Sequence, residues 1–335
     1  MTTMQLKETF LSTDLKLRTP AWADVNAVAK LIYDVCEADG DTSVAASAEE
    51  MEHEWHEEGF TLDTDAFVVE TNEGQIVGYI ELFNEKDHAH LNTDLYIHPA
   101  FKERGIGEAL LTRIEQRARE EIALAAPDLR VYLHSSMDNK DERSKSLHQR
   151  MGFAPVRHHW RMEIKLDAPP PAVTFPSGIE LRPFDKEAHA RLVWQATNES
   201  FSEHWGSHDS TFEQWCFWKF DKPDFDPTLW MIVWDGDEIA GFSQNRLRMG
   251  IGWIGTLGVR KPWRKLGLGQ ALLQHSFGEF YKRGMTTIGL GVDASNSTGA
   301  TRLYERVGMY VASEFITVEK ELRPGRELED ASARG

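Results

Sequence analysis

The sequence sets out one pattern twice, in the same order. Ile97-x-Pro99 leads into Lys102-Glu103-Arg104-Gly105-Ile106-Gly107 and a helical run; Val259 leads into Arg264-Lys265-Leu266-Gly267-Leu268-Gly269 and another. Upstream, Leu17-Arg18 recurs as Leu181-Arg182, and Val77-Gly78-Tyr79 recurs as Ala240-Gly241-Phe242. Downstream, Leu147-His148 before Gly152 recurs as Leu303-Tyr304 before Gly308. Each second member follows its first by about 160 residues, and landmarks at so constant a spacing mean a duplicated domain.

A chain of 335 residues accommodates two such units, each of ordinary domain size. The boundary falls where Pro169-Pro170-Pro171 forbids helix and favours extended chain. The expected organisation is a first domain over 1–166, a proline-rich linker over 167–178, a second domain over 179–325 and a polar tail over 326–335. Within each half the signals alternate. A short strand precedes an amphipathic helix carrying Val25, Val28, Ala29, Leu31 and Ile32, or Leu192, Val193 and Ala196. A hairpin follows, turned at Asn72-Glu73-Gly74 or Asp235-Gly236-Asp237. Then come a strand, the glycine loop, a helix, another strand and a helix ending near Gly152 or Gly308. Each half therefore reads as α/β (α+β), a mixed sheet flanked by helices.

The net charge of −17 argues against nucleic acid as a partner, because phosphate backbones are held by clustered Lys and Arg. No apolar run reaches the length of a membrane span, and residues 1–13 are polar, so the expectation is a cytoplasmic protein without membrane contact. Cys36 and Cys216, one per half, read as reduced thiols. No His, Cys and carboxylate spacing suggests a metal ligand set.

The chemistry concentrates in the glycine loops. Arg264-x-x-Gly267-x-Gly269 sits between a strand and a helix, where backbone N–H groups can converge at the positive end of the helix. The ligand such a nest suits is a phosphate or pyrophosphate. The loop lacks the Lys-Ser or Lys-Thr of a Walker motif, and Leu272 stands where a dinucleotide fingerprint needs a third glycine.

Together with Asn296-x-x-x-Ala300-x-x-Leu303-Tyr304-x-x-x-Gly308, this loop resembles the acetyl-CoA-binding core of the GNAT acyltransferase superfamily, and both halves show it. The resemblance implies two tandem GNAT-like domains, each with a mostly antiparallel sheet. It implies acetyl-CoA as co-substrate, its pyrophosphate gripped by the N–H groups of Lys265, Leu266, Gly267, Leu268, Gly269 and Gln270, with positive charge from Arg264 and Lys265. The pantetheine arm would run along Leu257 and Val259, the Val259 N–H would polarise the thioester carbonyl, and Asn296 would help hold the cofactor. Tyr304 would protonate the departing thiolate. The acceptor would be the primary amine of a small molecule, attacking directly, so that proximity supplies much of the rate. An acceptor amine must also lose a proton; Asp293 and Glu203, with the adjacent His204, are the candidates for taking it.

The first half departs from the pattern. His148 replaces Tyr304, Lys140 replaces Asn296 and Lys102 replaces Arg264, while Glu103 and Glu108 oppose a phosphate. Ile97, Lys102, Arg104, Gly105, Ile106 and Gly107 would still form a CoA loop. The expectation is a first domain that is structural or only binds CoA, and a catalytic second domain. Against this stands a reading in which His148 serves as the acid. Trp205, Phe212, Trp215, Phe217, Trp218, Phe220 and Phe225 crowd the second half's acceptor region, which suits a cation or a sugar-like amine, or serves packing alone. The competing functions are acetylation of a peptide or protein amine and a non-catalytic CoA-binding scaffold or sensor. A monomer or homodimer is expected.

Overall fold

The computed structural model describes residues 11–202, 205, 210–296 and 299–328. The chain forms two compact units. The first begins with β1 (Leu15–Arg18), α1 (Val25–Ala38), α2 (Ala48–Glu54) and α3 (Leu62–Asp65). It continues with β2 (Ala66–Thr71), β3 (Ile76–Lys86), β4 (His90–Ile97), α4 (Ile106–Glu121), β5 (Val131–Asp138) and α5 (Glu142–Arg150). β6 (Ala154–Lys165) leads into the second unit: β7 (Ile179–Arg182), α6 (Lys186–Phe201), α7 (Phe212–Phe220), β8 (Trp230–Asp235), β9 (Glu238–Arg248), β10 (Ile251–Val259), α8 (Leu268–Lys282), β11 (Thr287–Asp293) and α9 (Ala300–Arg306). β12 (Tyr310–Arg323) ends the fold.

In the first unit the strands run β1-β2-β3-β4-β5, with the C-terminal part of β12 beside β5. All neighbours from β1 to β4 are antiparallel; β4 and β5 are parallel. In the second unit the order is β6-β11-β10-β9-β8-β7, again with one parallel pair, β10 and β11. The α/β class and the mostly antiparallel sheets are those the sequence predicts. A parallel pair needs a crossover, and α4 or α8 supplies it.

The unit boundaries differ from the linear division. The compact units are a first that runs through Val156 and includes Ile316–Leu328, and a second that takes Arg157–Phe315. Hydrogen bonding is the reason. β6 pairs antiparallel with β11 from Thr287↔Lys165 to Asp293↔His159, which carries it into the second sheet. The far end of β12 brings Ile316 and Val318 into the core of the first unit. Each unit thus completes its sheet with a strand from the other half of the sequence.

Helices cover both faces of each sheet. In the second unit, Val193 of α6 and Trp215 and Phe220 of α7 pack on Phe242, Trp230 and Ile232. On the opposite face, Leu268, Leu272, Leu273 and Phe277 of α8 pack with Leu257, Val259, Ile254 and Ile288. The first unit repeats this with α1 and α2 on one face and α4 on the other. Two backbone marks predicted as helix ends hold: Gly152 and Gly308 take φ +88° and +93° just beyond α5 and α9.

Candidate active site

The site begins where a strand loses its partner. β10 pairs with β11 only from Gly252↔Ile288 to Ile254↔Leu290, yet stays paired with β9 as far as Val259↔Gly241. A register shift between Ile254 and Thr256 marks the point of divergence, and Gly255 lies within it. Arg260 N–H donates to Ala240 O at 3.1 Å, which makes Arg260 and Ala240 a hydrogen-bonded pair. An antiparallel ladder alternates, so Gly258 and Thr256 also bond toward β9. The amides of Leu257 and Val259 must then face the other way, into the gap that β11 has left. The Val259 carbonyl accepts from Arg264 Nε at 3.1 Å. Its N–H remains directed at the gap.

The gap opens beside the N-terminus of α8. Gly267 caps that helix at φ +80°, and the non-glycine Lys265 before it takes φ +67°. Such left-handed backbone is uncommon for lysine and turns the loop tightly. The first bond of the helix runs from Ala271 N–H to Gly267 O at 3.1 Å. The N–H groups of Leu268, Gly269 and Gln270 precede it and lack intrahelical acceptors. They are joined at a positive helix end by the exposed loop residues Lys265 and Leu266. A Cβ on Gly267 would meet nothing within 4 Å. This concavity fits a pyrophosphate, and the adjoining strand gap fits an extended arm with amide groups, as CoA has.

The two loop glycines have different jobs. A Cβ on Gly269 would approach Leu303 Cδ2 at 3.3 Å and Val259 Cγ2 at 3.7 Å, so Gly269 lets α8 lie against α9 and β10. Arg264 bonds Val259 O, and its guanidinium also reaches Ser200 O at 3.4 Å, so it braces the loop. Asn296 closes the turn after β11 through its backbone N–H to Asp293 O at 3.0 Å.

Tyr304 lies on α9 among Ile254, Leu273 and Leu290. Burial pushes its pKa up to about 12. Its hydroxyl has no hydrogen-bond partner among the described residues. Asp293 is placed quite differently. Its carboxylate is gripped by Arg157, with Nε at 3.0 and 3.1 Å and Nη2 at 2.5 Å, and accepts from Ser295 N–H at 2.8 Å. Asp293, expected as a base, has its carboxylate committed to this guanidinium and turn, where it anchors β6 against β11. Glu203 and His204 lie outside the described residues.

The first unit keeps the backbone and changes the side chains. Pairing of β4 with β5 ends at Thr93↔Ser135 while β4 continues along β3 to Ile97↔Gly78. Gly105 caps α4 at φ +75°, Ile106 is buried beneath it, and a Cβ on Gly107 would strike Leu147 Cδ2 at 2.4 Å. The loop's cations, however, are engaged. Lys102 lies 3.5 Å from Asp141, and Arg104 lies 2.5 Å from Asp14. His148, at the place of Tyr304, is 1% exposed and bonded on both nitrogens: Nδ1 to Ser144 O at 2.9 Å and Nε2 to Ser135 Oγ at 3.1 Å. A carbonyl can only accept, so Nδ1 carries the proton and Nε2 accepts from the serine. Burial lowers its pKa, which keeps the ring neutral. It is therefore a tied core residue, neither a free acid nor a surface histidine.

Sequence reasoning missed polar residues on the sheet faces covered by α2 and by α7. In the first unit Trp55 Nε1 donates to Tyr79 OH at 2.9 Å, and that hydroxyl donates to Glu81. Burial, followed by the charge of Glu54, holds Glu81 well above the ordinary carboxylate range. Asp94, opposite Glu81 on β4, is pushed up to about 6 by burial and then by Glu54 and Glu85. In the second unit Lys219 Nζ donates to Thr256 Oγ1 at 3.0 Å, at the point where β10 leaves β11. Most of the aromatics expected to hold a cation are packing: Trp215 and Phe220 are buried against Phe184 and Trp230.

A model of the acetyltransferase (GNAT) family matches residues 190–309, and one of the acetyltransferase (GNAT) domain matches residues 63–155. The chain is 36% identical to a GCN5-related N-acetyltransferase from Sphaerobacter thermophilus, with a TM-score of 0.79, over 95% of this chain and 99% of that one. It belongs to the GNAT acetyltransferase family. Mycothiol acetyltransferases are similar along most of its length. That of Geodermatophilus obscurus is 28% identical over 85% of this chain and 91% of the relative. That of Thermomonospora curvata is 30% identical over 70% and 76%. A tandem GNAT protein from the clavulanic acid biosynthesis pathway shares the fold, with a TM-score of 0.70 at 15% identity over 93% of this chain and all of that one. The chain is thus an acyltransferase with two GNAT domains, resembling the mycothiol acetyltransferases.

Proposed function

We propose that the second unit is an acetyl-CoA-dependent N-acetyltransferase acting on the primary amine of a small molecule, in the cytoplasm, and that the first unit does not turn over. One observation carries this reading: the amides of Leu257 and Val259 face an unpaired gap that meets the open N-terminus of α8, with Tyr304 of α9 in the same buried cluster that Leu257 packs against. An acetyl-CoA arm running along β10 would receive main-chain hydrogen bonds there, with its pyrophosphate on residues 265–270. The Val259 N–H then serves as oxyanion donor. The acceptor amine attacks the carbonyl carbon, the C–S bond breaks, Tyr304 gives its proton to the departing sulfur, and the proton that the amine sheds passes to water, from which Tyr304 is reprotonated. A pKa near 12 keeps the tyrosine proton in place at neutral pH. In this reading Asp293 anchors β6 and Arg264 braces the loop.

Among the described residues no helix is long and apolar enough to cross a membrane. The test is thiol release from acetyl-CoA against a panel of amines, beside calorimetric titration of acetyl-CoA alone. Binding that is lost in Gly267→Ala, with amine-dependent thiol release in the parent, supports the reading. Tight acetyl-CoA binding without thiol release from any amine would favour the scaffold instead.

A further inference from the structure

The acceptor side of the second unit carries an unexpected charge. Side chains alternate along a strand. On β9, Ser243 and Asn245 face α8, where they bond with each other and with Ser276. Phe242 and Gln244 face α6 and α7, and Gln244 Nε2 donates to Thr197 Oγ1 at 3.1 Å. Arg246, two residues further along β9, shares that face. On β10, Leu257 and Val259 pack under α8, which leaves Thr256 on the α6 and α7 side. CoA's loop lies at α8, so an acceptor must approach the gap from the opposite face, where Thr256 stands.

Lys219 projects from α7 onto this point and donates to the neutral Thr256 hydroxyl. It forms no ion pair among the described residues. Burial, together with the positive charges of Arg246 and Lys222, draws its pKa down to about 8, so it is still mainly charged at pH 7. Asp224 lies 3.3 Å from Arg246 and is a partner of that residue. A sheltered ammonium beside further cations is costly unless an anion joins it. The corresponding face of the first unit carries carboxyl groups instead, Glu81 and Asp94. The charge is therefore a property of this acceptor face and not of the duplicated fold.

We infer that the acceptor of the second unit is an amine that also carries a compact anionic group, a carboxylate or a phosphate, which Lys219 binds beside Thr256 while the amine enters the gap between β10 and β11. The inference rests on the proposed transfer site but is tested without turnover. In the presence of CoA, calorimetry would compare three acetylated probes: N-acetylglycine, N-acetyl-O-phosphoethanolamine and the neutral N-acetylglycinamide. A charge-assisted hydrogen bond should make one of the anions bind about ten- to a hundredfold more tightly than the amide, and whichever anion wins identifies the group. Lys219→Met should remove that preference, Lys219→Arg should restore part of it, and CoA affinity and melting temperature should be unchanged in both. Equal binding of all three probes, or an anion preference that survives in a folded Lys219→Met protein, overturns the inference. Absence of thiol release from every amine would instead count against the transfer reading, because the probe preference is measured independently of it.

Discussion

At the scale of residues, the tyrosine and histidine at matching positions show how two copies of one helix diverge. His148 has both ring nitrogens tied within its unit, whereas the Tyr304 hydroxyl has no partner among the described residues. Tyr304→Phe therefore removes no protein hydrogen bond, and its melting temperature should match that of the parent. If the hydroxyl protonates the thiolate, kcat should fall by roughly 10²-fold, the low end for a positioned acid, because a thiolate is a good leaving group. His148→Phe should do the reverse. It strands the Ser135 hydroxyl in a buried site, costing about 1–3 kcal/mol, so it should lower the melting temperature and leave turnover per folded molecule intact. Measuring kcat and melting temperature on both variants checks the pair. The tyrosine was legible in the sequence because its motif is local. The Asp293 partner was not, because Arg157 is 136 residues away and no spacing rule connects them.

At the scale of elements, the glycine loop separates two requirements that the sequence merges. Gly267 is needed for its left-handed backbone, at φ +80°, and faces open space; Gly269 is needed because Leu303 lies beside it. Gly267→Ala should cost roughly 1–2 kcal/mol in backbone strain and place a methyl group where the pyrophosphate would sit, weakening acetyl-CoA by more than it destabilises the fold. Gly269→Val should act mainly through packing, with a cost of about 1–3 kcal/mol from overfilling. Calorimetry and thermal melts on the two variants distinguish these effects. A second element-level consequence lies in β4 of the first unit. Asp94 has its folded pKa raised to about 6, against about 3.9 in an unfolded chain. The folded state then holds the proton more tightly, so its stability is complete below about pH 4 and declines as pH rises through 6. Asp94→Asn has no proton to lose. Its melting temperature should match the parent near pH 4 and exceed it near pH 8, by an energy of at most about 3 kcal/mol. A difference between the two proteins that does not vary with pH would refute this account. Neither Asp94 nor Lys219 stood out in the sequence, since each acquires its character from neighbours that only the packing of α2 or α7 supplies.

At the scale of the whole molecule, the duplication gave the element order and both glycine loops, but not which strands complete which sheet. β6 and β12 follow equivalent helices, α5 and α9, so a linear reading assigns each to its own half. The hydrogen bonds assign them otherwise: β6 runs along β11, and Ile316–Leu328 belongs to the first unit. There Glu319 accepts from Arg130 and bonds His134 Nε2 at 3.0 Å, and Lys320 Nζ reaches Glu115 at 2.6 Å. Burial of Ile316 and Val318 in the same core adds about 1.5–3 kcal/mol for each fully buried side chain. For a unit of ordinary marginal stability, losing that strand removes a large part of the margin. A fragment of residues 1–166 should therefore fail to unfold cooperatively, although it contains the full first repeat. Adding a peptide of residues 310–328 should restore a cooperative transition and bind with a stoichiometry of about one. The peptide's Lys320 should matter, because its ammonium also caps Met151 O at 2.6 Å; the Lys320→Ala peptide should bind more weakly, by about 1–3 kcal/mol for a lost charged hydrogen bond. A 1–166 fragment that melts cooperatively alone, with the peptide adding nothing, would show that the first unit is complete without the strand from the C-terminal end.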